Sequence, residues 1–282
     1  MTLKSIRDQY RQQLGQIYPE WEIDSIHSLV IEHTLGLSRA DRVLRAAESL
    51  EEKKESELLD VLERLKKEEP IQYILGKTEF YGLELAVNPH VLIPRPETEE
   101  LVRWILDSTE NKTPRILDLG AGSGCIPLAL KKELPNANVF GLDKSPEALE
   151  LAIQNSKVLN LDVEFRRFDI LEDSLLESES FDILVSNPPY VRYSERIHMK
   201  SNVLKYEPEM ALFVADADPL IFYRRIADLG RDHLTPGGLL FFEINEEYGQ
   251  EILELLRSKG YTGVELRKDL NGRDRMVKAQ KG

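Results

Sequence analysis

The chain has 282 residues, 41% hydrophobic and 31% charged, which is room for one large domain with a smaller companion and excludes disordered and fibrous classes. No stretch approaches the ~20 consecutive apolar residues a membrane-crossing helix needs. The first residues hold no hydrophobic export segment and the single cysteine, Cys125, has no internal disulfide partner, so a cytoplasmic protein with no membrane contact is expected. A net charge of −13 argues against capture of a phosphate backbone.

Residues 1–70 read as a small helical bundle. Leu29, Val30, His33 and Leu37 recur at spacings of three and four, as do Leu58, Leu59, Leu62 and Leu65, and His33 is assigned to the packing surface. The mixed-charge run from Glu48 to Glu57 is a solvated face or turn. From 71 to 94, short apolar runs alternate with Gly76, Gly82 and Asn88-Pro89, which predicts a hairpin or extended linker. IPRPETEE, Ile93 to Glu100, then feeds a helix carrying Leu101, Val102, Ile105 and Leu106.

From Arg115 onward strand and helix signals alternate, the pattern of a parallel sheet covered on both faces, and residues 95–282 are expected to form one α/β domain. Strands are predicted at Arg115 to Leu119, Ala137 to Leu142, Val163 to Arg167, Phe181 to Ser186 and Leu239 to Ile244. Ser145 and Pro146 start a helix, as a capping hydroxyl followed by a proline that loses nothing in the first turn. Further helices are predicted over Ala217 to Leu229 and Gly249 to Lys259, and Val264 to Arg267 with Met276 to Ala279 as an antiparallel pair.

DLGAGSG, Asp118 to Gly124, falls between a predicted strand and a predicted helix. Gly120, Gly122 and Gly124 let the backbone turn tightly and approach a ligand, with a plain structural turn as the alternative. Asp143 follows the next strand, where a carboxylate accepts from both hydroxyls of a ribose. NAD sites share this chain order, but GAGSG lacks the GxGxxG spacing. Asp169 follows the third strand and either reaches an adenine or caps a helix.

NPPY, Asn187 to Tyr190, follows the apolar run FDILVS and emerges at the same sheet edge. Asn187 offers a side-chain carbonyl and Pro188 a main-chain carbonyl, together able to accept both hydrogens of an incoming NH2 group. An amide or exocyclic base nitrogen is a poor nucleophile, and convergent acceptors fix it and favour charge development during attack. Pro188 and Pro189 stiffen the loop. Tyr190 either packs on the flat face of an amide or base or is a core residue. The five histidines show no zinc-ligand spacing, and no metal is expected.

Nearly the whole chain resembles the HemK/PrmC family of protein-(glutamine-N5) methyltransferases. The resemblance is carried by TEFYGLELAVNPHVLIPRPETEELV (78–102), DLGAGSG, DKSPEALELAIQN (143–155), SNPPYV (186–191), YEPEMAL (206–212), FYRRI (222–226), TPGGLLFFEI (235–244) and NGRDRMV (271–277). It implies an α/β, Rossmann-like S-adenosylmethionine-dependent methyltransferase domain with a small N-terminal helical domain that helps to position a protein partner. By the same resemblance, the cofactor site comprises Asp118, Gly120, Ala121, Gly122, Ser123, Gly124, Asp143, Asp169, Ile170 and Asn187. The acceptor site comprises Asn187, Pro188, Pro189, Tyr190 and Arg95.

The reaction implied is methylation of the glutamine N5 in the GGQ motif of class 1 peptide-chain release factors by a monomer, leaving S-adenosylhomocysteine. Two departures stand out: Ile170 occupies a position where the family often has an aromatic, and FVADADPL (213–220) lacks the glycines usual there, which loosens any transfer of roles to Asp216 and Asp218. Arg95 and Glu97 border the site as substrate contacts or structural ion pairs, neither of them a base. Glutamine methylation of a ribosomal protein and adenine-N6 methylation of DNA are the competing readings, the second lowered by the negative charge.

Overall fold

In a computed structural model describing residues 1–282, the N-terminal stripes fold as α1 (Leu3–Leu14), α2 (Glu20–Leu35), α3 (Arg39–Leu44), α4 (Glu52–Leu65) and α5 (Ile71–Leu75). Thr2 and Ser5 form a capping box on α1, satisfying amides the first turn leaves free. Leu3, Ile6, Tyr10 and Leu14 of α1 pack with Ile23, Ile26, Val30 and Ile31 of α2 and Leu58, Leu62 and Leu65 of α4. The stripe read on α2 is one step out of phase: Leu29 is 49% exposed and His33 is exposed. The histidine inside is His27, edge-on to the Tyr10 ring at 5.6 Å between centroids.

Residues 71–75, read from sequence as hairpin or linker, are helical, begun by Pro70 and ended by Gly76 at φ +70°. The compact unit they belong to comprises Met1–Gly76 and Lys200–Tyr206. In the latter segment the Lys205 Nζ lies 2.8 Å from a Glu68 carboxylate oxygen, and the Tyr206 hydroxyl donates to the Lys67 carbonyl at 3.0 Å.

The second unit comprises Lys77–Met199 and Glu207–Gly282. It opens with an antiparallel hairpin, β1 (Lys77–Phe80) and β2 (Leu83–Ala86), turned through Tyr81 and Gly82, both at positive φ. There follow α6 (Pro96–Ser108), β3 (Arg115–Leu119), α7 (Cys125–Glu133), β4 (Asn138–Asp143), α8 (Pro146–Leu159), β5 (Glu164–Arg167) and β6 (Phe181–Ser186). Next come β7 (Val191–Arg192), the α9 helix (Ser201–Tyr206) contributed to the first unit, α10 (Glu209–Leu212), β8 (Phe213–Val214), α11 (Ile221–His233), β9 (Leu234–Glu243), α12 (Gly249–Ser258), β10 (Tyr261–Lys268) and β11 (Asp274–Lys281). β9 starts earlier than the apolar run suggested, taking in Thr235 to Gly238, and α11 starts at Ile221, beyond Pro219.

Seven strands form one sheet in the order β10-β11-β9-β6-β3-β4-β5, parallel from β9 to β5, with β11 and β10 added antiparallel. The two-residue period of a strand divides its side chains between two cores. Leu117, Leu184, Leu240 and Phe242 pack with α11 and α12, while Ile116, Ile183, Val185 and Phe241 pack with α6, α7 and the hairpin. The strand order reverses between β3 and β6, and at such a switch the loops leaving the carboxyl ends diverge to leave a crevice. Those loops are Gly120–Gly124 and Asn187–Tyr190.

Candidate active site

The crevice is a cavity of about 310 Å³ within the second unit. Gly120, Ala121, Gly122 and Ser123 line one part of it, with Asp143, Lys144 and Ser145 from the end of β4. The loop is hung from β4: Gly120 and Ala121 donate their amides to the Leu142 carbonyl at 2.8 and 2.9 Å, and Gly122 donates to Asp143 Oδ2 at 2.8 Å. Ser145 donates its amide to Asp143 Oδ1 at 2.9 Å and caps α8 through Ala148. The carboxylate is therefore fixed in place by backbone donors. Burial pushes it above the usual carboxylate range against those donors.

The three glycines of the loop divide. No atom lies within 4 Å of where a Cβ on Gly122 would stand, and Gly122 lines the cavity, so its missing side chain leaves room for a ligand. Gly124 is outside the lining. Its Cβ would meet Phe165 at 3.0 Å, Leu128 at 3.1 Å and Ala152 at 3.2 Å, so it serves the packing of α7 against the sheet and α8. Asp118 is likewise outside the lining, fully buried, with neither carboxylate oxygen hydrogen-bonded. Burial first, and the charge of Asp143 second, push its carboxyl well above the usual range. Of the two acids only Asp143 faces the cavity, where its carboxylate, held by backbone donors, can accept from the hydroxyls of a ligand such as S-adenosylmethionine.

Asp169 lies at the cavity with its Oδ2 2.6 Å from Lys144 Nζ and its Oδ1 accepting the Leu171 amide at 3.0 Å. Burial works to raise its pKa, but these two partners outweigh it and leave the carboxylate below its usual range. Asp169 thus caps a turn, with no helix following it, and lines the cavity. Phe168 and Ile170 line it as well and are buried in the core against α11. Cys125 lines the cavity with its thiol pushed up to about 12 by burial and by the charge of Asp118, the state of an inert thiol.

On the facing side, Asn187 and Pro189 line the cavity, and a Cβ on Gly120 would stand 4.0 Å from the Asn187 carbonyl oxygen. Pro188 is buried and Tyr190 packs on the core, both outside the lining. The Tyr190 hydroxyl donates to Glu243 Oε1 at 3.1 Å and its carbonyl accepts from Asn245 Nδ2 at 3.2 Å, which anchors the far end of the loop. Burial and Glu243 push the phenol strongly upward. Arg95 lines the cavity but pairs with Glu207 at 2.6 Å, and Glu207 also accepts the Ile93 amide at 3.3 Å, so IPRP and YEP are tied together.

Sequence reasoning missed Thr98, Glu243, Ser186 and Asn155 here. Thr98 lines the cavity from the first turn of α6, donating to Glu243 Oε2 at 2.6 Å and accepting from Asn187 Nδ2 at 3.4 Å. Ser186 donates to the Leu119 carbonyl at 2.5 Å, joining β6 to β3 just before the loop. Asn155 accepts the Ala86 amide at 2.8 Å and donates to the Ser123 carbonyl at 2.9 Å, tying hairpin to cofactor loop. Each polar side chain is buried; a polar residue at the end of an apolar run was the available signal for Ser186 and Glu243, while Thr98 and Asn155 stand among polar neighbours and gave none. No group of three or more His, Cys, Asp or Glu residues comes together to hold a metal ion. No helix is long and apolar enough to cross a membrane.

Comparison with known proteins agrees with this construction. Residues 5–76 match the PrmC N-terminal domain and residues 98–206 the methyltransferase small domain. The chain is 45% identical over 282 residues to a release factor glutamine methyltransferase of Flavobacterium psychrophilum, covering 99% of each chain. It is 46% identical over 271 residues to one of Bacteroides thetaiotaomicron, covering 96% of this chain and 97% of that one. Among solved structures, a methyltransferase from Pyrococcus furiosus superimposes with a TM-score of 0.54 at 19% identity, covering 82% of this chain and 98% of that one, which shows a shared fold.

Proposed function

The chain belongs to the family of release factor glutamine methyltransferases, and we propose that it methylates the side-chain N5 of the glutamine in the GGQ motif of class 1 peptide-chain release factors. The observation that carries this reading is the meeting of two loops in one cavity, Gly120 standing 4.0 Å by its would-be Cβ from the Asn187 carbonyl oxygen. A methyl donor held by the first loop and an amide held by the second are then neighbours, as in-line transfer requires.

S-adenosylmethionine supplies an electrophilic methyl group on its sulfonium. Asp143 would accept from the ribose hydroxyls, Asp169 and Ile170 would bound the adenine, and the Gly120–Ser123 backbone would admit the rest. Asn187 Oδ1 and the Pro188 carbonyl take the two N–H bonds of the glutamine amide, holding the nitrogen and drawing charge toward it as the N–C bond forms. As the N–C bond forms the S–C bond breaks with its electron pair kept by sulfur, leaving S-adenosylhomocysteine, and the methylated nitrogen then releases one of its protons to water. Arg95, held by Glu207, shapes the cavity wall. The flexible glycines of GGQ suit entry into a crevice of this size. The helical unit contributes to recognition of the protein partner, and the enzyme works as a monomer.

Asn187→Ala tests the reading. Transfer to the release factor falls by a factor of roughly a hundred or more, the scale of losing one preorganised polar partner of the reacting group, while cofactor affinity measured by calorimetry changes little. Wild-type transfer rates in the variant refute the role given to the side-chain carbonyl.

A further inference from the structure

The amide of Asn187 works only one way round: its carbonyl must face the cavity and its NH2 must face away. Nothing within the NPPY loop enforces that, because an amide turned by half a rotation has nearly the same shape. The enforcing group lies on another element. Thr98 Oγ1, 2% exposed as a residue, stands 3.4 Å from Asn187 Nδ2 and 2.6 Å from Glu243 Oε2. A hydroxyl has one proton and two lone pairs. With its proton given to the carboxylate at the shorter distance, the Thr98 oxygen has only acceptance to offer Asn187.

Glu243 is fixed in its turn. It is 1% exposed at the end of β9, and its other oxygen receives the Tyr190 hydroxyl at 3.1 Å. Burial pushes its carboxyl above the usual range; the Thr98 hydroxyl, the Arg275 charge and the Tyr190 hydroxyl favour the ionised form that the relay uses, Glu97 opposes it, and Arg275 is itself held by Asp269 at 3.3 Å. A carboxylate has no proton to give, so both hydroxyls point inward and the polarity of the whole relay is set from its buried end.

We infer that Glu243 and Thr98 are positioning residues for methyl transfer: by taking the Thr98 hydroxyl proton, Glu243 makes the Thr98 oxygen an acceptor for Asn187 Nδ2 and so turns Asn187 Oδ1 toward the acceptor amide. This rests on the function proposed above for Asn187. The relay also joins both ends of the loop, since Tyr190 answers to the same carboxylate. Neither Thr98 nor Glu243 touches the transferred group, and their effect falls on the rate of transfer rather than on cofactor affinity.

The test uses the full-length enzyme, saturating S-adenosylmethionine and an unmodified release factor, with single-turnover rates for wild type, Thr98→Val, Thr98→Ser, Glu243→Gln and the Thr98→Val/Glu243→Gln pair. Thr98→Val keeps shape and loses the hydroxyl, and its rate falls on the order of tenfold or more, as for one lost buried hydrogen bond acting in the transition state. Thr98→Ser restores most of that rate, cofactor affinity stays within about twofold of wild type, and the pair is no slower than Thr98→Val alone, because both changes break one relay. A wild-type rate in Thr98→Val, equal losses in the valine and serine variants, or multiplying losses in the pair overturn the inference.

The side-chain NH2 of Asn187, observed by selective nitrogen-15 NMR in the cofactor-bound protein, gives a readout that needs no acceptor. Its proton signal moves in Thr98→Val and not in Thr98→Ser. An unmoved signal overturns the relay, whereas absence of release-factor methylation by the wild type overturns the proposed function alone.

Discussion

At the scale of single residues, Asp118 is the position where burial works most directly against a charge. Its carboxyl is fully buried with no hydrogen-bond partner, and burial with the Asp143 charge raises its pKa. A raised folded pKa means that the folded chain holds a proton the unfolded chain has released, so stability is fullest below the unfolded value and is lost as pH climbs toward the folded one. Asp118→Asn removes that penalty. In thermal unfolding at neutral pH without cofactor, the variant is more stable by about 1 kcal/mol, the low end for an uncompensated buried polar group, and its stability no longer falls through Asp118 as pH climbs. A variant that loses stability or keeps the full pH dependence contradicts this account of Asp118.

Elements explain why the glycines differ. Gly122 at φ +54° opens on empty space, whereas Gly141 on β4 would put a Cβ 2.6 Å from Phe165 and has no room at all. Gly122→Ala leaves the fold intact at a cost of about 1–2 kcal/mol for the left-handed backbone and abolishes most cofactor binding, read by calorimetry. Gly141→Ala overpacks the sheet and lowers the unfolding free energy by about 1–3 kcal/mol. If the two variants behave alike, the cavity is not where the loop places it.

The same scale shows what the sequence made legible. The parallel strands, the Ser145 cap, the glycine loop and NPPY follow local rules of period, capping and turn chemistry, and they appear where those rules put them. What escaped was long-range pairing: Thr98 with Glu243 across 145 positions, Arg95 with Glu207 across 112, and the crossing of Lys200–Tyr206 into the helical unit. No local pattern encodes a partner that distant. Gly124 and Tyr190 belong to the two motifs, but their side-chain space is spent on packing and anchoring, which only three-dimensional neighbours reveal.

Across the whole molecule, the two units answer differently to acid. Burial, then Arg42 and Arg7, push the His27 imidazole of the helical unit down to about 4. The folded value lies below the unfolded ~6.5, so the unfolded chain takes the proton first. The unit therefore loses stability as pH falls from about 6.5 to about 4, by about 3 kcal/mol in all. His27→Leu flattens the pH dependence of unfolding across that window; an unchanged slope assigns it to other groups.

Partner choice is likewise a property of the whole chain, and it is the centre of the account. The direct measurement is peptide-resolved mass spectrometry after incubating the purified protein with S-adenosylmethionine, unmodified class 1 release factors, a ribosomal protein and duplex DNA together. A gain of one methyl group on the GGQ glutamine, absent in Asn187→Ala, is the expected result. An unmodified GGQ glutamine beside a methylated ribosomal protein or DNA would contradict the assignment.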